Sequence, residues 1–229
     1  MAIKLVVFDM AGTTVEDKDN VHASLIHAFK KFDYNILRED ANKVMGIPKP
    51  VAIEQLLKND FGIKAPKLND LVVKIHQEFL KDMISFYKND SSVKAKENAE
   101  VIFQLLKGKK IKVGIDTGFS RDIADTIIKR LGWTKNHLID FSVTSDEVKN
   151  GRPHPDMIFE AMKIADVKSA NEVAKVGDTI SDLKEGTSAG CKFVIGITTG
   201  AYTRKELAKE KHTHLIDDLM EVAEIVSAQ

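Results

Sequence analysis

The stretch KLVVFDMAGTTV, residues 4–15, decides the fold that we expect for this chain. The segment from Ile3 to Phe8 is nearly all apolar and rich in β-branched and aromatic residues. It is too short to cross a membrane, so it predicts a strand that is buried on both faces. Asp9 follows this strand directly. A carboxylate at the end of a buried parallel strand lies where open α/β sheets bind ligands, although an aspartate there can also simply cap the turn.

The composition is typical of a globular protein with one large domain, or with a core and a smaller insertion. The 229 residues are 43% hydrophobic and 30% charged. Lys and Arg total 34, and Asp and Glu also total 34, so the charge balance suggests neither a nucleic acid nor an anionic membrane as a partner. Cys191 is the single cysteine, and the sequence shows no signal-peptide or membrane-helix pattern, which predicts a cytoplasmic protein.

Two kinds of hydrophobic pattern divide the chain. From residue 17 to residue 92 the apolar residues recur at helical spacing without any strand pattern, which predicts an inserted all-helical cap. After residue 92, amphipathic segments alternate with short apolar runs at 111–115, 139–143, 173–176 and 193–197. This alternation predicts an α/β core formed by residues 1–16 and 93–229, with a doubly wound, Rossmann-like parallel sheet.

Four of the predicted strand ends carry groups that can bind an anion or a cation: Asp9, Thr117 with Gly118, Arg152, and Asp178 with Asp182. A threonine hydroxyl and backbone N–H groups at a helix start can hold a phosphoryl oxygen. A guanidinium in a stiff loop can bind an oxyanion through two hydrogen bonds. Clustered carboxylates supply the hard oxygen ligands that Mg²⁺ prefers. Each group alone is common without such a role, but together they predict a phosphoryl-binding metal site at one sheet edge.

The segments DxAGTTV, TG, GRPxP and GDTxSDxKEG, in this order, resemble the haloacid dehalogenase-like hydrolase superfamily and, within it, the phosphonatase-like branch. The resemblance implies that Asp9 attacks phosphorus and forms an aspartyl-phosphate, which water then hydrolyses. It implies a Mg²⁺ site formed by Asp9, the backbone carbonyl of Ala11 and Asp178, with Asp182 orienting the metal ligands. The residues implied to contact the substrate or its phosphoryl oxygens are Gly12, Thr13, Gly46, Thr117, Gly118 and Arg152.

Ala11 and Lys49 distinguish this chain from the ordinary phosphatases of the superfamily. Those enzymes carry a second aspartate two residues after the nucleophile, where it protonates the leaving oxygen, and Ala11 occupies that position. The segment 45–49 resembles the MGxxK segment of phosphonatase, whose lysine forms an imine with the substrate aldehyde. The resemblance therefore implies hydrolysis of phosphonoacetaldehyde or a related small phosphonate, with Lys49 as a catalytic residue. The positions that depart from the phosphonatase pattern are Asp19, Ala52 and Phe119.

Two other functions remain compatible with the sequence. One is a phosphatase of a small phosphorylated metabolite such as phosphoglycolate, and the other is a catalytically inactive phosphate-binding protein. The sequence does not determine the oligomeric state, and a homodimer is among the options. The histidines show no metal-ligand spacing, and most of them are expected to face solvent. His154 is the exception, because it follows Arg152 by two residues and is therefore expected near the site.

Overall fold

The computed structural model describes residues 2–227, and its centre is a six-stranded sheet. The strands are β1 (Leu5–Phe8), β2 (Lys112–Thr117), β3 (Phe141–Thr144), β4 (Val173–Gly177), β5 (Phe193–Ile197) and β6 (His214–Ile216). Their order is β3-β2-β1-β4-β5-β6, and all neighbouring strands are parallel. The strand order reverses at β1, which makes the carboxyl end of β1 the point where open α/β sheets bind ligands.

Helices follow the strands and also fill the long connection between β1 and β2. Within residues 2–227 they are α1 (Asn20–Lys30), α2 (Arg38–Lys43), α3 (Lys49–Asn59), α4 (Lys67–Asn89), α5 (Ala99–Gly108), α6 (Arg121–Leu131), α7 (Asp156–Ile164), α8 (Ile180–Ala189), α9 (Arg204–Leu207) and α10 (Glu221–Ile225). Among these described helices, none is both long enough and apolar enough to cross a bilayer.

Both faces of the sheet are covered, as the doubly wound prediction requires. The residues of β1 are completely buried. Phe8 faces the layer that contains α5, where its ring meets the Phe103 ring edge-on at 5.3 Å. Val7 points to the opposite face and packs in the layer that contains Met157 of α7. Since successive strand residues alternate between faces, a strand buried on both faces reads as the continuous apolar run seen here.

The connection between β1 and β2 is helical, as its hydrophobic spacing predicts. Helices α1 to α4 lie between Asn20 and Asn89, and no strand is assigned in this described stretch. The longest of them, α4, has 23 residues and buries Ile75, Phe79 and Met83 along one face. The division of the chain into a cap of residues 17–92 and a two-part core stays a prediction.

Candidate active site

The carboxyl ends of β1, β2 and β4 and the loop between α2 and α3 enclose a cavity of about 40 Å³. The predicted site residues that line this cavity are Asp9, Ala11, Gly46, Lys49, Thr117, Gly118, Arg152 and Asp178. Gly12, Thr13 and Asp182 do not line it but lie directly behind residues that do. The structure therefore brings together groups that lie up to 169 positions apart in the chain, counted from Asp9 to Asp178 (178 − 9 = 169).

Asp9 follows β1 into the cavity and is paired with Arg152. The guanidinium Nη1 donates to Asp9 Oδ1 at 2.6 Å, and Asp9 is 5% exposed. Burial raises the pKa of Asp9 to about 8 against the opposing effect of Arg152, and the nearby Asp182 and Asp178 carboxylates raise it further. The nucleophile that the sequence predicts at Asp9 would have to be ionised, which requires more positive charge than Arg152 alone supplies.

Asp178 follows β4 by one residue, and both of its oxygens are held. The Thr13 hydroxyl donates to Oδ1 at 2.8 Å, and the backbone N–H of Ala201 donates to Oδ2 at 2.6 Å. Gly12 has a φ of +86°, and a Cβ at this position would collide with the Asp178 carboxylate. Burial raises the pKa of Asp178 to about 6, and the charge of Asp182 acts in the same direction. Gly12 and Thr13 thus position Asp178.

Asp9, Asp178 and Asp182 form what we call the outer carboxylate cluster. One ligand oxygen from each residue lies within 4.8 Å of the others, and all three side chains are buried. Burial and the neighbouring carboxylates raise the pKa values of Asp9 and Asp178, and a divalent cation bound among these groups would counter both effects. A donor set made only of oxygens suits a hard divalent cation such as Mg²⁺. The residues therefore fit a divalent metal ion.

Asp116, Asp182 and Glu185 form a second buried group, the inner carboxylate cluster, which already contains a cation. Lys175 Nζ pairs with Asp116 and lies 3.1 Å from Asp182 Oδ1 and 3.1 Å from Glu185 Oε2. Arg152 Nε lies 2.9 Å from the same Glu185 oxygen. Because the Lys175 ammonium occupies the inner cluster, the outer cluster is the one of the two that is left for a metal ion.

Thr117 ends β2, and the loop around Gly46 meets the core beside it. Thr117 Oγ1 accepts from the Phe119 N–H at 3.1 Å, which leaves the hydroxyl proton free to donate into the cavity. Gly46 has a φ of +80°, and a Cβ there would collide with the Thr179 side chain. A Cβ on Gly118 would lie 3.0 Å from the Gly46 carbonyl oxygen. Because these positions are glycines, the backbone of the loop between α2 and α3 can pack directly against the core.

Lys49, the first residue of α3, lines the cavity and is 4% exposed. Its Nζ lies 5.8 Å from the centre of the Phe79 ring and 6.0 Å from that of Phe119. Within residues 2–227 this Nζ takes part in no hydrogen bond and no ion pair. Burial lowers the pKa of Lys49 to about 8, and the charges of Asp9 and Asp17 offset only part of that effect. A lysine with this pKa is partly neutral near physiological pH and can act as an amine nucleophile.

Asp19 and His154, both noted in the sequence, lie outside the cavity. Asp19 is exposed, and its carboxylate pairs with Arg38 at 2.5 Å. His154 is also exposed and lines a surface groove with Lys184, so the expectation that it lies near the site is wrong. The reason is that the chain turns outward at Pro153, directly after the buried Arg152.

His22 is buried, unlike most of the other histidines, and lines the cavity. Its Nε2 lies 3.0 Å from Asn42 Oδ1, across the interface between α1 and α2. His22 is thus an exception to the expectation that most histidines face solvent, because it falls three positions before Leu25 on the inward face of α1. Helical spacing was the available signal.

Asp17 is a cavity residue that carries no motif signal in the sequence. It comes from the loop between β1 and α1, and its Oδ1 accepts from the N–H groups of Asn20 at 2.7 Å and Val21 at 3.3 Å. An aspartate that precedes an amphipathic helix is a capping signal, which could have located its side chain at the start of α1. It could not have shown that the start of α1 adjoins Asp9 and Lys49.

The chain matches known proteins over most of its length. A family model described as haloacid dehalogenase-like hydrolase matches residues 6–196. The chain is 31% identical over 211 residues to a phosphonoacetaldehyde hydrolase from Bacillus cereus (strain G9842), which covers 88% of this chain and 78% of that protein.

Solved structures with a similar fold have lower sequence identity. A phosphonoacetaldehyde hydrolase-like protein from Oleispira antarctica superposes with a TM-score of 0.85 at 18% identity, covering 99% of this chain and 92% of that one. A predicted phosphoglycolate phosphatase from Haemophilus somnus 129pt superposes with a TM-score of 0.78 at 20% identity, covering 97% of both chains. These likenesses show the shared fold.

Proposed function

We propose that this chain, which belongs to the haloacid dehalogenase-like hydrolases, hydrolyses phosphonoacetaldehyde or a closely related small phosphonate. Membership of the family makes it a hydrolase, and hydrolases of this family generally use a divalent metal ion. Lys49 is the observation that carries the choice of substrate. A buried amine with a lowered pKa lines the same cavity as Asp9, where an aldehyde next to a phosphonate group would meet both. The name of the Bacillus cereus relative supports the same substrate.

Asp9 is the nucleophile of the proposed reaction. Arg152 holds Asp9 Oδ1 at 2.6 Å, which fixes the direction of the carboxylate toward the cavity. The Thr117 hydroxyl donates to a phosphoryl oxygen as negative charge develops there. A Mg²⁺ ion would be held by Asp9, the carbonyl of Ala11 and Asp178; it supplies the positive charge that keeps Asp9 ionised and screens the phosphoryl oxygens.

Lys49 converts the aldehyde part of the substrate into a good leaving group. Its neutral amine adds to the aldehyde carbon, and loss of water with uptake of one proton gives a protonated imine; a proton is released again when water hydrolyses the aspartyl-phosphate. This imine accepts the electron pair of the phosphorus–carbon bond when Asp9 attacks phosphorus. Phe79 and Phe119 surround the amine with apolar rings, which keeps its pKa low and limits the access of water.

Borohydride trapping tests this function directly. The protein is incubated with phosphonoacetaldehyde and Mg²⁺, reduced with sodium borohydride, digested and analysed by mass spectrometry, while phosphate release is followed in parallel. We expect one reduced adduct, on Lys49, and none in Lys49→Met. Lys43→Met, which removes an exposed lysine of α2, is the matched control and should keep both the adduct and turnover.

The same assay separates the alternatives. Asp9→Asn should release no phosphate from any substrate, because an amide cannot form the aspartyl-phosphate. Phosphate release from phosphoglycolate without release from phosphonoacetaldehyde would instead indicate a phosphatase. Mg²⁺-dependent phosphate binding without any turnover would indicate an inactive binding protein.

A further inference from the structure

The cavity contains one acidic residue that the proposed chemistry leaves without a task. Among the acidic residues that line it, Asp9 is the nucleophile and Asp178 belongs to the outer carboxylate cluster. The remaining one is Asp17, from the loop that joins β1 to α1. Ala11 cannot transfer a proton, yet an atom that leaves phosphorus as a carbanion equivalent or an alkoxide must gain one.

One oxygen of Asp17 is fixed and the other is unbound. Oδ1 accepts the N–H groups of Asn20 and Val21, which holds the side chain at the start of α1. Within residues 2–227, Oδ2 takes no hydrogen bond and no ion pair. Because the fixed oxygen acts as an acceptor, a proton on the carboxyl group resides on Oδ2. That is the oxygen free to meet a ligand in the cavity.

Burial shifts Asp17 toward its protonated form, and the cavity that it lines also contains the reacting groups Asp9 and Lys49. Burial raises the pKa of Asp17, and the two backbone hydrogen bonds and His22 offset part of that rise. Asp17 and Asp9 both raise the pKa of Lys49, so the Lys49 amine lies within the electrostatic reach of both carboxylates. A carboxyl group that lines the same cavity as the amine and the nucleophile, and that has one oxygen unbound, is placed as general acid catalysis requires.

We propose that Asp17 is the general acid of this site and gives its Oδ2 proton to the atom that has left phosphorus. This assignment rests on the function proposed above. When the phosphorus–carbon bond breaks, its electron pair moves into the protonated imine and leaves an enamine on Lys49. The enamine carbon takes the Asp17 proton, which forms a carbon–hydrogen bond, restores the protonated imine and leaves Asp17 as a carboxylate. Water then adds to the imine, acetaldehyde departs, and the proton released as Lys49 becomes a neutral amine returns to Asp17.

The test compares two substrates of similar size in the Asp17→Asn variant. An asparagine keeps the Oδ1 acceptor that caps α1 but has no acidic proton. Phosphonoacetaldehyde needs protonation of its leaving carbon, whereas acetyl phosphate releases acetate, which leaves as a stable anion. We expect kcat for phosphonoacetaldehyde to fall by roughly 10²–10⁴-fold, the range typical of a lost general acid. The fall for acetyl phosphate should be at least about tenfold smaller. Asp19→Asn, an exposed carboxylate of the same loop, is the matched control.

Each outcome decides the assignment. An equal loss with both substrates would mean that Asp17 only supports the loop. No loss with either substrate would mean that Asp17 transfers no proton. Both outcomes would overturn the proposal. The borohydride adduct on Lys49 of Asp17→Asn reports that this variant is folded and competent to form the imine. If wild-type protein cleaves phosphoglycolate but not phosphonoacetaldehyde, the proposed substrate is wrong, and the phosphoglycolate to acetyl phosphate ratio then decides the role of Asp17. Wild-type protein that turns over none of the three would contradict both proposals.

Discussion

The charge balance beneath the candidate active site depends on Lys175. It lies on β4, is completely buried, and serves as the internal cation of the inner carboxylate cluster. Burial and the charge of Asp116 raise the pKa of Glu185 to about 8, while the charges of Lys175 and Arg152 act in the opposite direction. Arg152 and Lys175 are the counter-charges of the buried carboxyl groups of Asp116, Asp182 and Glu185. This balance leaves Arg152 fixed in the direction of Asp9.

Lys175→Met should destabilise the protein by about 3–5 kcal/mol, because removal of one partner leaves buried carboxylates without their counter-charge. Urea unfolding followed by circular dichroism measures this difference in the free energy of unfolding. The double variant Lys175→Met with Asp116→Asn should recover part of the loss, since the second change removes the charge that the first one exposes. Lys163→Met, at an exposed ion pair of α7, is the control and should cost less than about 1 kcal/mol. A loss of that small size in Lys175→Met would contradict the assigned role.

The loop between α2 and α3 is the element that brings the helical connection onto the core. Met45 and Gly46 line the cavity, and the next helix begins with Lys49. The close approach of this loop to Thr179 requires a residue without a side chain at position 46. The position of the Lys49 amine therefore depends on backbone packing at Gly46, three residues earlier in the chain.

Gly46→Ala should lower kcat/KM by at least about tenfold, because the added methyl group cannot fit beside Thr179 and the loop must move away from the core. Gly62→Ala is the matched control, since Gly62 also has a positive φ, of +64°, but open space where a Cβ would lie. Both variants should lose about 1 kcal/mol of stability from backbone strain. Thermal unfolding of the two proteins measures the effect of backbone strain, and steady-state kinetics measures the effect of the steric clash with Thr179. Equal activity of the two variants would show that the contact of this loop with the core does not position Lys49 for catalysis.

At the scale of the whole molecule, we expect the outer carboxylate cluster to link metal binding to folding. Burial and mutual repulsion raise the pKa of Asp9 to about 8 and that of Asp178 to about 6, both above the ordinary value of 3.8. Carboxyls with raised pKa values bind protons more tightly in the folded state. Their contribution to stability is therefore complete at low pH and is lost as the pH rises through those two values.

Mg²⁺ should raise the melting temperature more at about pH 8 than at about pH 5, because at the lower pH the ion must displace protons from the cluster. At a free concentration a hundred times the Kd, the expected stabilisation is about 2.7 kcal/mol. Differential scanning calorimetry with Mg²⁺ or with EDTA measures the effect. Asp178→Asn should remove most of it. A rise in melting temperature that is the same at both pH values would argue against binding at Asp9 and Asp178.

The order of strands and helices was predictable because a strand that is buried on both faces requires a continuous run of apolar residues in the sequence. The expected strands at 111–115, 139–143, 173–176 and 193–197 overlap β2, β3, β4 and β5. The three-residue strand β6 is too short for a hydrophobic pattern to appear. The sequence also located Asp9 and Asp178 at one edge of the sheet, since parallel strands bring their carboxyl ends together, and the structure shows that their strands β1 and β4 are neighbours.

The sequence by itself determined the sheet, the family and the edge at which the predicted site residues meet, because these follow from local hydrophobic spacing and short motifs. Only the tertiary structure decided that Asp17 and His22 face the cavity, that His154 does not, and that Lys175 fills the inner carboxylate cluster. These features depend on how separate helices and strands pack against one another. Burial, and with it the lowered pKa of Lys49, is a property of that packing rather than of any segment of the chain.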